Sequence, residues 1–357
     1  MRALGAAALG ALIGVGAAAF DSPSLYIPGV ALVLLGAGAW LWVGMAAQGA
    51  GVERTLGDHT VEEEDPYPVR LEIRRGLVGP PGGRLDEPLL GRPLRLGRRT
   101  PSRIRMEVSF ARRGQRELAP ARLVIEDPLG ISVRELRSER ASVLVLPRVY
   151  PITGDAAGAL GGLGTEAERL VASAAELELD SLRPYRQGAP ASRIHWPTVA
   201  RTGEMVERKL IADVDLRPLV VVDPRRPPSE EALDRALRAA ASLCVHLARG
   251  GGCALLLPGD RRPADIDRDL HAWPPLHARL ALVEPSHGAP VTGRLERSGA
   301  VFWVAAGAAE PPGGIARARA GVRFLVVPDP LPARTPDFGV AGCAVHRLGN
   351  GRLRRAA

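Results

Sequence analysis

A single lysine, Lys209, three cysteines and an aromatic content of 4% are what this 357-residue chain has least of. Cys244, Cys253 and Cys343 are odd in number and form neither CxxC nor Cys/His metal spacing. A disulfide scaffold is thereby excluded, a zinc site is disfavoured, and a reducing compartment fits best. One lysine among 47 basic residues leaves arginine as almost the whole positive charge, spread through every segment of a chain loaded with Ala, Gly and Pro. Its formal charge of +8 therefore reads as a solvated, arginine-biased background and not as a nucleic-acid-binding stripe. No GxxxxGK(S/T) occurs, and no GxGxxG follows the first strand of the C-terminal α/β region, so P-loop and dinucleotide chemistry have no support.

What the sequence does have is apolar length at its start. Residues 3–20 and 25–47 carry no charge, are separated by Asp21-Ser22-Pro23-Ser24, and each approach the ~20 residues that cross a bilayer core. Neither alternates, so both read as helices, which satisfy their own backbone in lipid. Trp40 and Trp42 lie towards the end of the second, where interfacial aromatics are expected. A cleaved signal peptide over residues 1–20 is the competing reading, since Arg2 and the Ala/Gly/Leu run resemble one. With the hairpin kept, the expectation is a multi-pass inner-membrane protein with Arg2, both termini and all soluble domains on the cytoplasmic side. Gly10 and Gly14 form a GxxxG suited to close helix approach.

Three regions follow from the pattern: a helical hairpin over 1–47, a β-rich module over 48–150, and an α/β region over 151–357. In the module, Val69–Ile73, Arg103–Val108, Ala121–Ile125 and Ser142–Leu146 show the period of two expected of half-buried strands, broken by clusters such as Gly79-Pro80-Pro81-Gly82-Gly83 and by the turn Asp127-Pro128-Leu129-Gly130. A small β-sandwich-like or barrel-like module is predicted. His59 to Asp65 reads as a solvated acidic linker. Beyond residue 216 the pattern is βα. Leu219–Val222 ends in Asp223, Ser229-Glu230-Glu231 opens a periodic helix closed by Gly250-Gly251-Gly252, and Cys253–Pro258, Ala300–Val304 and Val322–Val327 supply further buried strands, with Cys343–Leu348 as an edge strand. This is a doubly wound α/β arrangement, whose crevice lies at the carboxyl ends of the strands, beside Asp223 and Asp260.

The densest stretch is Glu178 to Lys209, with Arg183, Tyr185, Arg186, Arg193, His195, Trp196 and Arg201. Arginine with Tyr and Trp is the composition of interface anchors, because planar cations stack on rings and both offer donors. Trp196-Pro197 to Thr202 reads as a short helix with Gly203 as its stop. The segments Leu182-Arg183-Pro184-Tyr185-Arg186-Gln187-Gly188, Arg193-Ile194-His195-Trp196 and Ala200-Arg201-Thr202-Gly203 resemble the bacterial "domain of unknown function 58" family, as do Asp127-Pro128-Leu129-Gly130, Val145-Leu146-Pro147-Arg148 and the leading helices. The resemblance implies a von Willebrand factor A-like C-terminal domain and a MoxR-type AAA+ ATPase as partner. Two departures stand out. The metal loop of such domains is Asp-x-Ser-x-Ser, whereas here Arg225 and Pro227 follow Asp223, so no metal is expected there. Ala189 also stands where the family's turn usually has aspartate.

The function expected is a non-enzymatic adaptor or scaffold that binds a protein partner through the arginine-aromatic cluster and carries no cofactor. The opposite reading of the same cluster has it locking the segment onto the sheet. A rival reading is a hydrolase-like enzyme using His195 with Asp223 or Asp260. A third is arginine-mediated binding of nucleic acid or anionic lipid.

Overall fold

In a computed structural model of the chain, residues 2–97, 101–153, 155–161, 182–185, 194–208, 217–286, 288–291, 298–307, 313–317, 320–332 and 334–348 are described. They fall into two compact units, one of residues 1–111 and 115–145, the other of residues 112–114 and 146–357.

The first unit opens with two helices, Arg2–Ala19 and Pro23–Ala47, whose mean hydropathy over 18 residues is 1.6 and 2.0. Both are long and apolar enough to cross a membrane. They pack on each other through glycine. A Cβ on Gly10 would stand 2.6 Å from the Gly29 carbonyl, and one on Gly36 would collide with Ala3 and Ala7. Both glycines of the predicted GxxxG lie in this contact, since a Cβ on Gly29 would stand 3.0 Å from the Gly10 carbonyl and 3.2 Å from Gly14 N. A Cβ on Gly14 would meet nothing, and the partners come from the second helix. Away from that seam Leu12, Val15, Ile27 and Leu34 are exposed, a surface that water does not favour.

Ten strands follow in the same unit: β1 (Gly51–Leu56), β2 (Thr60–Glu62), β3 (Tyr67–Arg74), β4 (Gly83–Asp86), β5 (Leu94–Arg95), β6 (Arg103–Val108), β7 (Gly114–Leu118), β8 (Arg122–Glu126), β9 (Val133–Arg137) and β10 (Ala141–Leu146). They form sheets ordered β1-β3-β6, β2-β10-β7 and β5-β4-β8-β9. β3 alternates strictly between buried and non-buried positions, as its sequence period requires. Its inward Leu71 and Ile73 join Leu85, Leu123, Ile125 and the helix residues Val43 and Ala46 in one core, so the second apolar helix is rooted in the β module. A buried ion pair crosses this unit: Arg54 Nη2 donates to both oxygens of Glu87 at 2.7 and 2.9 Å. The turn Asp127 to Gly130 joins β8 to β9, with Asp127 accepting from Leu129 and Ser132 and Gly130 at φ 68°. His59 to Asp65 is not a linker. It contains β2, its His59 carbonyl accepts from Leu144, and Glu63 is buried, because pairing with β10 draws the acidic stretch into the fold.

The second unit holds a helix Asp155–Gly161, short strands β11 (Leu182–Pro184) and β12 (Val206–Arg208), a helix Trp196–Thr202 between them, and then the main sheet. Its strands are β13 (Leu219–Asp223), β14 (Cys253–Leu256), β15 (Ala264–Ile266), β16 (Ser298–Ala305), β17 (Ala320–Val327), β18 (Phe338–Val340) and β19 (Cys343–Leu348), in the order β15-β14-β13-β16-β17-β19-β18. β14, β13, β16 and β17 run parallel, while β15, β19 and β18 are added antiparallel. Cys343–Leu348 is therefore not an edge strand. It pairs with β17 on one side and β18 on the other, and its inward residues are apolar throughout Cys343 to Val345.

Both faces of this sheet are covered, which is why its parallel strands are continuous apolar runs. Val220, Val222, Leu255, Phe302 and Phe324 face the long helix Glu230–Gly251, and Phe302 stacks on its cross-strand neighbour Phe324 with centroids 4.8 Å apart. Leu219, Val221, Leu256, Trp303 and Leu325 face the other way, towards Ile315 and Leu331. The long helix starts where expected: Ser229 Oγ accepts from Ala232 at 3.1 Å and Glu230 and Glu231 complement the helix dipole. It stops at Gly252, whose φ of 99° favours glycine.

Candidate functional site

The strand order reverses at β13, with β14 on one side and β16 on the other, and in such sheets the ligand crevice opens at that reversal, beyond the carboxyl ends of the strands. Asp223 ends β13 there, and it is buried. Both of its oxygens are taken by the protein itself. Arg225 donates through Nε to Oδ1 and through Nη2 to Oδ2, each at 2.7 Å, and Trp303 Nε1 donates to Oδ2 at 3.0 Å from the adjacent strand. This bidentate bond, opposed by partial burial, raises the Arg225 pKa above its ordinary value. The loop is tied down on every side: Ala306 donates to the Asp223 carbonyl, Ser286 to the Pro224 carbonyl, and Arg226 is held at φ 47°. Gly307 lies so close to the Arg226 carbonyl that a Cβ would overlap it.

The carboxylate at the crevice is thus bonded by its own surroundings. A guanidinium stands on the carboxylate that a divalent cation would otherwise claim, and among the described residues no group of three or more His, Cys, Asp and Glu is placed to hold a metal. The second strand-end carboxylate, Asp260, is likewise engaged, receiving Arg279 Nη2 on both oxygens at 2.7 and 3.0 Å.

The motif segment is built differently. β11 and β12 pair antiparallel, with Arg183 opposite Glu207, and the chain between them returns through the helix Trp196–Thr202. Local rules explain that helix: Pro197 sits in the first turn and Gly203 ends it at φ 70°. Three backbone bonds fasten it, from Tyr185 to the Met205 carbonyl, from His195 to the Val206 carbonyl, and from Gly203 to Val199. His195 Nδ1 lies 2.7 Å from Thr198 Oγ1. A ring in that position orders the first turn of the helix, and among the described residues no carboxylate bonds to it.

On this small scaffold Trp196 is 61% exposed and Met205 51% exposed. Trp196 follows His195 and Met205 precedes Val206, the two residues joined by a backbone bond, and each leaves a large apolar side chain in water. Arg201 on the same helix is exposed, and Tyr185 and His195 are half-buried. Of the other residues singled out, Arg183 is placed by its backbone in β11, while Arg186 and Arg193 lie outside the described residues.

Of the remaining histidines, His59 and His271 are exposed, His246 is half-buried, and His277 and His346 are packed inside, as are the cysteines. His277 is buried, its Nε2 2.8 Å from the Pro147 carbonyl, and stacks on Trp273. His346 Nε2 accepts from Leu331. All three thiols are free and buried. Burial pushes the Cys343 thiol up to about 12 and raises Cys244 well above the usual thiol range.

Two residues that matter here carry no local signal. Met205 looks like any apolar residue between a turn and a strand. Trp303 lies inside an apolar run, and only its indole N–H, which a buried tryptophan must pair, hinted at a polar partner. No family model and no curated protein matches the chain, so the resemblance rests on the motif residues themselves.

Proposed function

We propose that the protein is a membrane-anchored adaptor without catalysis of its own, and that the motif segment docks a protein partner. One observation carries this: Trp196, inside the densest motif of the chain, is 61% exposed. Exposed Trp with neighbouring arginine is the make-up of interface hot spots, where truncation removes a large fraction of binding energy. A tryptophan that merely locked the segment onto the sheet would be buried. The enzymatic alternative draws no such support, since His195 bonds to Thr198 and both strand-end aspartates bond to arginines.

In this reading the resemblance names the partner, a MoxR-type AAA+ ATPase. It also makes the β module sandwich-like and the second unit a von Willebrand factor A-like domain whose metal loop has been replaced by the Asp223–Arg225 pair. The hairpin would hold both units on the cytoplasmic face of the inner membrane. The test uses the full chain in detergent and the purified ATPase from the same genome. Capture of the ATPase, or a change in its ATP hydrolysis, is expected, and Trp196→Ala should weaken it strongly. No capture by the natural chain rejects the partner, and capture undiminished by Trp196→Ala rejects the surface.

A further inference from the structure

A cavity of about 570 Å³ lies in the first unit, at the foot of the second apolar helix, within the range of about 300–1,000 Å³ usual for small-ligand sites. Its floor is apolar, made by Ile73, Leu123 and Ile125, and its rim carries Trp42, Arg74 and Arg75. Among the described residues, none of those lining it is acidic. Both arginines are exposed, and Arg74 also pairs with the exposed Glu53.

Position determines what such a cavity meets. The helix Pro23–Ala47 has 25 residues, about 37 Å at 1.5 Å per residue, which exceeds the ~30 Å hydrocarbon core and carries its last turns into the headgroup layer. Trp42 is 47% exposed on those last turns, at the level where amphipathic rings gather. The turn after β3 is locked to the same level. Leu77 N donates to the Gln48 carbonyl at 3.1 Å, and Gly76 lies against the Ala46 carbonyl so tightly that any Cβ would overlap it. Leu77 itself is 72% exposed at that depth, an apolar side chain that water does not favour and lipid does. The cavity therefore opens where a bilayer would present phosphate and the beginning of its acyl chains.

We propose that this cavity binds one anionic phospholipid of the leaflet adjoining the β module. Its headgroup phosphate is held by Arg74 and Arg75, and the upper part of one acyl chain lies on Ile73, Leu123 and Ile125 beside Trp42. The inference rests on the reading that the two helices span a membrane. Basic pockets at the ends of membrane helices suit anionic headgroups because charge and depth coincide there.

The experiment uses the full chain reconstituted in phosphatidylcholine nanodiscs containing phosphatidylglycerol as a minority lipid, followed by native mass spectrometry of the released protein. One retained phosphatidylglycerol per chain is expected, in preference to phosphatidylcholine. Two variants test the site separately. Arg74→Gln with Arg75→Gln removes the charge, and retention should fall roughly 30-fold, the effect of two surface arginines on an anionic leaflet. Gly79→Trp keeps the charge and fills the space: Gly79 lines the cavity and a Cβ there would meet nothing within 4 Å, so the larger side chain can extend into the space the acyl chain would take. Arg137→Gln, on the exposed face of β9, should leave retention unchanged. Equal retention of the two lipids, or retention by either test variant equal to that of the natural chain, overturns the proposal. Failure of the full chain to enter nanodiscs at all would instead reject the membrane reading.

Discussion

The crevice at the end of β13 and the motif segment around Trp196 are built from the same residue types, yet they end in opposite states. In the crevice, aspartate, arginine and tryptophan bond to one another: Arg225 and Trp303 together saturate Asp223. In the motif segment, tryptophan and arginine face water while the polar bonds that hold the fold are nearly all backbone. The lesson is that composition nominates both regions, and only the fate of the hydrogen-bonding groups separates them. A saturated cluster is a fastener. A large apolar side chain left in water on a rigid scaffold is a surface with binding energy still available.

Breaking the fastener should have the largest effect. Asp223→Ala leaves the buried Trp303 N–H and the half-buried Arg225 guanidinium without their acceptor, at a cost of about 1–3 kcal/mol for each donor. Chemical denaturation should show that loss, while ATPase capture by the folded fraction stays intact. Trp196→Ala should do the reverse. Its expected cost is at least about 2 kcal/mol of binding, roughly 30-fold in affinity, with an unchanged denaturation midpoint. If Trp196→Ala destabilises the chain as Asp223→Ala does, the contrast between the regions collapses.

The closed character of the sheet has a pH signature as well. The Cys343 thiol is held up at about 12 by burial, against an ordinary value of 9.0. Folded chains therefore keep a proton that unfolded chains release, so stability is fully present below pH 9 and declines as pH rises from 9 towards 12, by up to about 1.4 kcal/mol per pH unit for this thiol. Urea titrations at pH 8, 9 and 10 measure that slope, and a thiol reagent should find no reactive cysteine at pH 7.5 until the chain unfolds. A flat profile would mean the sheet is open to solvent. Smallest is the effect of Thr198→Val, which removes the His195 Nδ1 contact at a cost of about 1 kcal/mol. It should loosen the short helix, read by hydrogen exchange at Val199 and Gly203, and weaken partner capture only slightly.

Much of this was legible before any coordinates. Strand period located β3, β6, β8 and β10 to within a residue or two, and cap chemistry placed the long helix from Ser229 to its glycine stop. What was misread had a common cause. The acidic stretch from His59 and the strand at Cys343 were judged by their own composition, but β10 in one case and β17 with β18 in the other recruited them through pairing.

The sequence by itself determined the elements whose cause is local: two uncharged spans of membrane length, alternating strands, a capped amphipathic helix and a short helix bounded by Pro197 and Gly203. Tertiary structure alone decided that Trp303 would bond to Asp223 from 80 residues away, that Trp196 and Met205 would be left exposed, and that a basic rim would form above an apolar floor at the foot of the second helix. The physical reason is range. Periodicity and capping act over a few residues, whereas satisfying a buried donor or leaving a cavity depends on which distant strands the whole chain brings side by side.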